Sequence, residues 1–332
     1  MDHRPGLDPS VAEVRRAVRA ALPQAGDPVV VALSGGPDSL ALTAATAFEA
    51  SRAGIRAIAV VIDHGLQEGS DAIADAAANT ARGLGLEARV VRVEVGSGDG
   101  PEAAARTARY AGLAEAAADI GAQVVLLGHT LEDQAETVLL GLARGSGALS
   151  LAGMPAQRRD ATGPVWVRPL LAVRRRTTVA ACAAAGLDPW TDPHNADPGF
   201  ARVRVRDRVL PVLEAELGPG VAEALARTAE QLREDADAFQ DMIDETIEDI
   251  VEHAEAGISI SVAALAANPA ALRNRIIRYV VDSEFGVSLS RTQTLEVARL
   301  ATDWTGQGPI DLPGCLARRV GARIEVVART AS

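Results

Sequence analysis

The sequence predicts an α/β protein, with a parallel-sheet domain followed by a smaller, mostly helical one. Three observations carry that expectation. Short Val- and Ile-rich runs recur through the first two hundred or so residues and are apolar throughout, which marks strands covered on both faces. Alanine-rich helical stretches separate them, as in chained βαβ units. Beyond Pro211 the rhythm stops and one long amphipathic pattern takes over. At 332 residues the chain is long for one domain and sufficient for two. The division is expected as 1–212 and 213–332.

Taken in order, strands are expected at 29–33, 55–62, 88–93, 124–127 and 165–168. Helices are expected at 39–52, 70–84, 102–120 and 133–143. Parallel sheets bind ligands beyond the carboxyl ends of their strands, so segments following Leu33, Ile62 and Leu127 should converge. Gly218-Pro219-Gly220 is a breaker, and 221–255 then reads as one long linker helix. Leu225, Leu232 and Phe239 repeat every seven residues, with Ala229, Ala236, Ile243 and Ile250 four positions behind. Together they form one apolar stripe on an acidic helix. Helices near 262–267, 270–284 and 290–301 follow, and the segments 310–312 and 316–327 suggest a closing hairpin or two.

Composition narrows the chemistry. All 33 cationic side chains are arginine, which excludes a Walker-type phosphate loop and a pyridoxal Schiff base, both of which need lysine. The net charge of −11 at first argues against a nucleic-acid partner. Its distribution argues otherwise. Residues 212–255 hold 14 acids and 2 arginines, whereas 144–211 hold 11 arginines and 5 acids. Cys182 and Cys315 lack metal-site spacing, so inert buried thiols are expected. No apolar run approaches membrane-spanning length and no signal segment is visible at the N-terminus. A soluble, cytoplasmic protein with no membrane partner is expected; the oligomeric state stays open, a homodimer included.

The strongest local signal is Ser34-Gly35-Gly36-Pro37-Asp38-Ser39, between the first strand and its helix. Two glycines allow a sharp turn and close backbone approach, and helix N-terminal amides with serine hydroxyls then face an anion. A plain turn with a helix cap is the alternative. Further blocks follow in order. They are Ile62-Asp63-His64-Gly65-Leu66-Gln67, then Ala105-Arg106-x-x-Arg109-Tyr110, then Gly128-His129-Thr130-Leu131-Glu132-Asp133-Gln134-Ala135-Glu136-Thr137. Later come Arg144-Gly145-Ser146-Gly147, Arg168-Pro169-Leu170-Leu171 with Arg174, and Trp190-x-Asp192-Pro193-x-Asn195. The last is Phe200-x-Arg202-Val203-Arg204-Val205-Arg206 before Leu210-Pro211. If extended, that final segment would line its arginines along one face. They would contact phosphates there, or lie as a solvated edge paired with Asp192 or Asp207. Asp133 and Glu136, three apart on a helix, share a face and could hold an ammonium group.

These blocks, spread over residues 29–211, resemble the N-type ATP pyrophosphatases, or PP-loop superfamily, and within it the tRNA(Ile)-lysidine synthetases. The resemblance implies an adenine nucleotide alpha hydrolase-like domain. It also implies an ATP- and Mg²⁺-dependent ligase joining free L-lysine to the wobble cytidine of tRNA(Ile) with anticodon CAU. By the same resemblance, the product reads AUA in place of AUG. ATP binding would fall to Ser34, Gly35, Gly36, Pro37, Asp38, Ser39, Asp63, Gly128 and His129, with Asp38 also on the metal. Asp38, Arg109 and Asp133 would be catalytic, and Asp133 and Glu136 would bind lysine. Arg144, Arg168, Arg174, Arg202, Arg204 and Arg206 would hold tRNA. Departures from the family pattern are Gln67 for Arg, Glu132 for Asp, Val203 for Asn, and the absence of any lysine near ATP. Two alternatives stay open: a PP-loop tRNA thiolase, which needs a cysteine nucleophile or a cysteine-bound cluster, and a non-catalytic adenine-nucleotide sensor.

Overall fold

The computed structural model describes residues 6–24, 26–65, 69–96, 100–145, 147–191, 197–254 and 257–329. The motif residues Leu66, Gln67, Ser146, Asp192, Pro193 and Asn195 lie outside these. The chain divides into two compact units, residues 1–233 and 234–332.

The first unit opens with α1 (Pro9–Ala21), β1 (Val29–Ala32), α2 (Pro37–Ala53), β2 (Ala57–Asp63), α3 (Ser70–Gly83) and β3 (Glu87–Arg92). It continues with α4 (Pro101–Ile120), β4 (Val124–Leu126), α5 (Leu131–Ala143), α6 (Ala148–Leu151), β5 (Gln157–Arg159) and β6 (Val165–Val167). Then come α7 (Arg175–Ala184), α8 (Ala201–Arg204), a π-helical turn at Val205–Val209, and α9 (Leu210–Leu217). The sheet order is β3-β2-β1-β4-β6-β5, parallel except for the antiparallel edge strand β5.

Side-chain alternation explains why β1, β2 and β4 are apolar at nearly every position, whereas edge strand β3 is mostly exposed and carries charged residues. Val29 and Val31 pack with Val14 and Val18 of α1, Leu40 and Leu42 of α2, and Ala181 and Cys182 of α7. Val30 points the other way and packs with Ile58, Val60, Val125 and Trp166 beneath Leu113, Ala116 and Ala117 of α4. Strand order reverses at β1, which has β2 on one side and β4 on the other. Such a reversal opens a crevice at the strand ends. The segments after β1 and β4 both begin there.

Sequence patterning does not reveal α1, β5 or α7. The condition for a one-faced stripe of arginines 202, 204 and 206, an extended segment, is not met, because the segment is helical. Burial fits this: Val203 and Leu210 are both buried, and residues seven apart would point to opposite faces of a strand. Arg202 and Arg206 then share a face, and Arg204 leaves it.

The helix α10 (Val221–Ile250) ends five residues short of the expected 255, because Val251–Ala254 forms β7. Its stripe is real: Ala229, Ala236, Ile243 and Ile250 are buried. The second unit continues with β8 (Gly257–Ser261), α11 (Val262–Ala267), α12 (Ala270–Phe285), α13 (Arg291–Thr302), β9 (Ile310–Leu312), β10 (Cys315–Val320) and β11 (Arg323–Ala328). Its antiparallel sheet runs β7-β8-β11-β10-β9. Ile260, Leu265, Ile276, Ile277, Leu300 and Ile324 fill its core. No helix among the described residues is long and apolar enough to cross a membrane.

Leu113 joins α4 to the sheet and is 1% exposed. Leu113→Ala should lower the unfolding free energy of the first unit by about 2–5 kcal/mol. The change should appear as a lower urea midpoint with unchanged slope; a shift under about 0.5 kcal/mol would show that α4 is not seated this way.

Candidate functional site

Residues 34–39 turn the chain from β1 into α2. Gly35 takes φ +85°, a left-handed conformation open to glycine without strain, and its carbonyl accepts a hydrogen bond from the Trp190 amide at 3.0 Å. The Ser39 hydroxyl donates to the Gly36 carbonyl at 3.0 Å and accepts from the Ser34 amide at 3.1 Å. The two serine hydroxyls lie 3.0 Å apart. Ser39 thus braces the loop, and no side chain caps the start of α2. Uncapped N-terminal amides beside a tight loop are an anion-binding arrangement.

The second block is pressed against this start. A Cβ on Gly128 would sit 3.0 Å from both Cα and N of Ser39, so glycine is what lets the end of β4 approach α2. Thr130 then begins α5 with a capping box. Its amide and hydroxyl both donate to Asp133 Oδ2, at 2.8 and 2.9 Å.

Arg175, at the start of α7, binds the two blocks together. Its Nε donates to Asp38 at 3.1 Å, its Nη2 to Asp133 at 2.8 Å, and its Nη1 lies 3.5 Å from Glu136. Thr178, one turn on, donates its hydroxyl to Asp38. Glu136 is fully buried and takes a two-pronged contact from Arg206, at 2.8 and 3.1 Å. Glu132 meets the start of α7, accepting from the Arg175 amide at 2.7 Å and pairing with Arg174 at 3.3 Å.

The two aspartates are shifted in opposite directions. Burial pushes the Asp38 carboxyl above the usual carboxylate range, and Arg175 and Thr178 only partly offset it. Burial works the same way on Asp133, but Arg175 and the Thr130 amide outweigh it and hold that carboxyl below its usual range. Burial is countered at Arg175 by Asp133, Asp38 and Glu136, which keep its guanidinium more firmly protonated. His129 is pushed down to about 4, mainly by burial and further by Arg168, Arg106 and Arg202, with Asp133 opposing. It is neutral at pH 7.

The remaining expected residues fall in different places. Asp63 is buried at the end of β2, where the Ser70 hydroxyl lowers its pKa and the Gly65 amide donates to it at 3.0 Å. Arg109 Nε lies 3.4 Å from His64 Nε2. Arg174 donates to Glu223 through two nitrogens. Arg202 donates to Thr137 at 3.1 Å, and Arg204 to the carbonyls of Pro198 and Gly199. Arg168 is 3% exposed, while Arg144 is exposed and donates to Leu140. Sequence reasoning missed Arg175 and Thr178; the only signal was the run Arg174-Arg175-Arg176.

Comparison with known proteins bears on this arrangement. Residues 10–213 match the model of the PP-loop domain, an ATP-binding class, and residues 260–324 match that of the TilS substrate binding domain. A tRNA(Ile)-lysidine synthase of Leifsonia xyli subsp. xyli is 59% identical over 288 residues, 86% of this chain and 85% of that protein. One from Thermobifida fusca is 50% identical over 93% of this chain and 94% of its own. The chain belongs to the tRNA(Ile)-lysidine synthase family. In fold it is similar to a U34-tRNA thiolase from Methanococcus maripaludis, with TM-score 0.58 and 21% identity over 68% of this chain and 80% of the other.

A histidine held neutral stabilises the fold only while the unfolded chain is neutral too. That contribution is complete above pH 6.5 and is lost as pH falls from 6.5 toward 4. Urea titrations should show wild type losing stability relative to His129→Gln across that window. Parallel curves would show that His129 is not buried in neutral form.

Proposed function

We propose that this chain is an ATP-dependent ligase of the cytoplasm that joins free L-lysine to the wobble cytidine of tRNA(Ile) with anticodon CAU. The observation that carries the proposal is the meeting of an uncapped helix start after β1 with two buried carboxylates, Asp133 and Glu136, on the helix after the adjacent strand β4. The loop at 34–39 and the first amides of α2 would take the pyrophosphate part of ATP. The cytosine carbonyl oxygen attacks the α-phosphorus, pyrophosphate leaves, and the lysine amine then displaces AMP and loses a proton.

Asp38 fits a Mg²⁺ that completes its shell from ATP, since this ion is usually held by one or two carboxylates plus substrate phosphates. Among the described residues no three-ligand cluster offers an all-protein cage. Bound there, the ion would neutralise phosphate charge. Arg109 would assist on the phosphates. Asp133, held ionised, suits the lysine ammonium as a fixed counter-charge, and its low pKa makes it a weak proton acceptor. Glu136 would assist it.

A thiolase would need an accessible, ionisable thiol or several cysteines that together hold a cluster. Cys182 is buried, donates to the Pro37 carbonyl, and is pushed up to about 11 by burial. Cys315 is buried in β10 of the second unit. Neither suits that chemistry.

Purified protein with ATP, unmodified tRNA(Ile) and radiolabelled lysine should place label on the tRNA. It should leave elongator methionine tRNA, which shares the CAU anticodon, unlabelled. No label on either would sink the ligase. Asp133→Asn keeps an acceptor for the Thr130 cap but loses the charge, so the KM for lysine should rise by about 10–100-fold while ATP binding is retained. Loss of ATP binding instead would move Asp133 to the nucleotide.

A further inference from the structure

One cluster beside this site has no role in the reaction as set out above. Arg106 and Tyr110 lie on α4, Arg158 on β5, Trp166 on β6, and Arg168 directly after it. Tyr110 is the centre. Its ring meets Trp166 edge to face, centroids 4.7 Å apart at 60°. The guanidinium carbons of Arg106 and Arg158 lie 4.9 and 5.5 Å from its centroid. Its hydroxyl takes a hydrogen bond from Arg106 at 3.3 Å and interacts with Arg168.

The charges do not balance. Asp160 pairs with Arg158 at 3.0 Å and accepts from Trp166 Nε1 at 2.9 Å. Among the described residues no ion pair neutralises Arg106 or Arg168. Arg168 donates to the Pro155 carbonyl at 2.9 Å, and its buried Nε has no hydrogen-bond partner. Burial, together with repulsion from Arg158 and Arg106, pushes its pKa down against the pull of Tyr110. Arg174, Arg175, Arg202 and Arg206, by contrast, all face carboxylates. The cationic surplus near the site is therefore at Tyr110, and two of its arginines act electrostatically on His129.

We propose that exposed Arg106 and Arg158 form a phosphodiester site holding the RNA backbone beside the nucleotide to be modified, with buried Arg168 adding positive potential without touching RNA. Stacking on Tyr110 pre-orders both contact arginines, which lowers the entropy lost on binding. A backbone phosphate suits the site better than a base, because guanidinium groups already occupy the tyrosine ring. The phosphates of ATP have their own site at the start of α2. This inference rests on the RNA-modifying function proposed above and extends it to a particular contact.

The test is equilibrium binding of unmodified tRNA to the full chain across a salt series, with ATP affinity measured alongside. Arg106→Gln and Arg158→Gln should each weaken tRNA binding and flatten the plot of log K against log salt by about one unit. Arg168→Met should weaken binding with its slope unchanged, since no phosphate contact is lost; if that variant fails to fold, the other two decide. Unchanged slopes in both glutamine variants would overturn the proposal. So would a parallel loss of ATP affinity, which would assign the cluster to the nucleotide. If slopes stay unchanged while wild type transfers lysine, only this inference fails. If slopes flatten but wild type transfers no lysine, the phosphodiester site stands and the ligase reaction falls.

Discussion

The first unit's site depends on one guanidinium shared by three carboxylates. Asp38 comes from the start of α2, and Asp133 and Glu136 from α5; without a common cation they would repel one another at close range. Arg175 is that cation. Removing one partner of a buried ion cluster leaves charge uncompensated, at a cost of about 3–5 kcal/mol. A planar guanidinium directs several donors outward at once, which a single ammonium on a flexible stem does less well. In a chain whose cations are all arginine, this guanidinium neutralises the carboxylates that meet there.

Around Arg175 the protein separates charge by element. Helices α7, α8 and the π turn bring arginines against carboxylates of α5 and α10, so that side is internally neutralised. The side under α4 keeps its positive charge: Arg168 is buried beside Tyr110, and among the described residues the one ion pair there is that of Asp160 with Arg158. His129 lies between and stays neutral, since burial and three nearby arginines together disfavour its protonation. Total charge says nothing of this arrangement: −11 for the chain coexists with a local cationic surplus beside the proposed reaction centre.

Much of the fold was legible because its physical causes are local. Strands buried on both faces need apolar residues at nearly every position, so β1, β2, β4 and β6 stand out, and edge strand β3, Glu87–Arg92, is marked only by its valines. Edge strand β5, Gln157–Arg159, is exposed throughout and carries no such pattern. The R-V-R-V-R alternation at 202–206 fits a strand of period two; burial of both Val203 and Leu210 fits a helix instead. In the same way β7 and β8 are too short to separate from the acidic helix pattern before them, and only pairing with β11 defines that sheet.

By itself the sequence determined the α/β class, the loop at 34–39, the block at 128–137 and their convergence at the strand ends. Each follows from short-range requirements: glycine for turning and close approach, apolar runs for double burial, and fixed spacing for a shared helix face. Only the tertiary structure decided which arginines are committed to carboxylates and which keep their charge. Arg168, Arg174, Arg175 and Arg206 are the same residue type in similar arginine-rich segments, yet one is buried without an ion pair among the described residues and three are neutralised. That difference depends on partners such as Glu223 and Asp38, 49 and 137 residues away along the chain, and no local pattern encodes a distance of that kind.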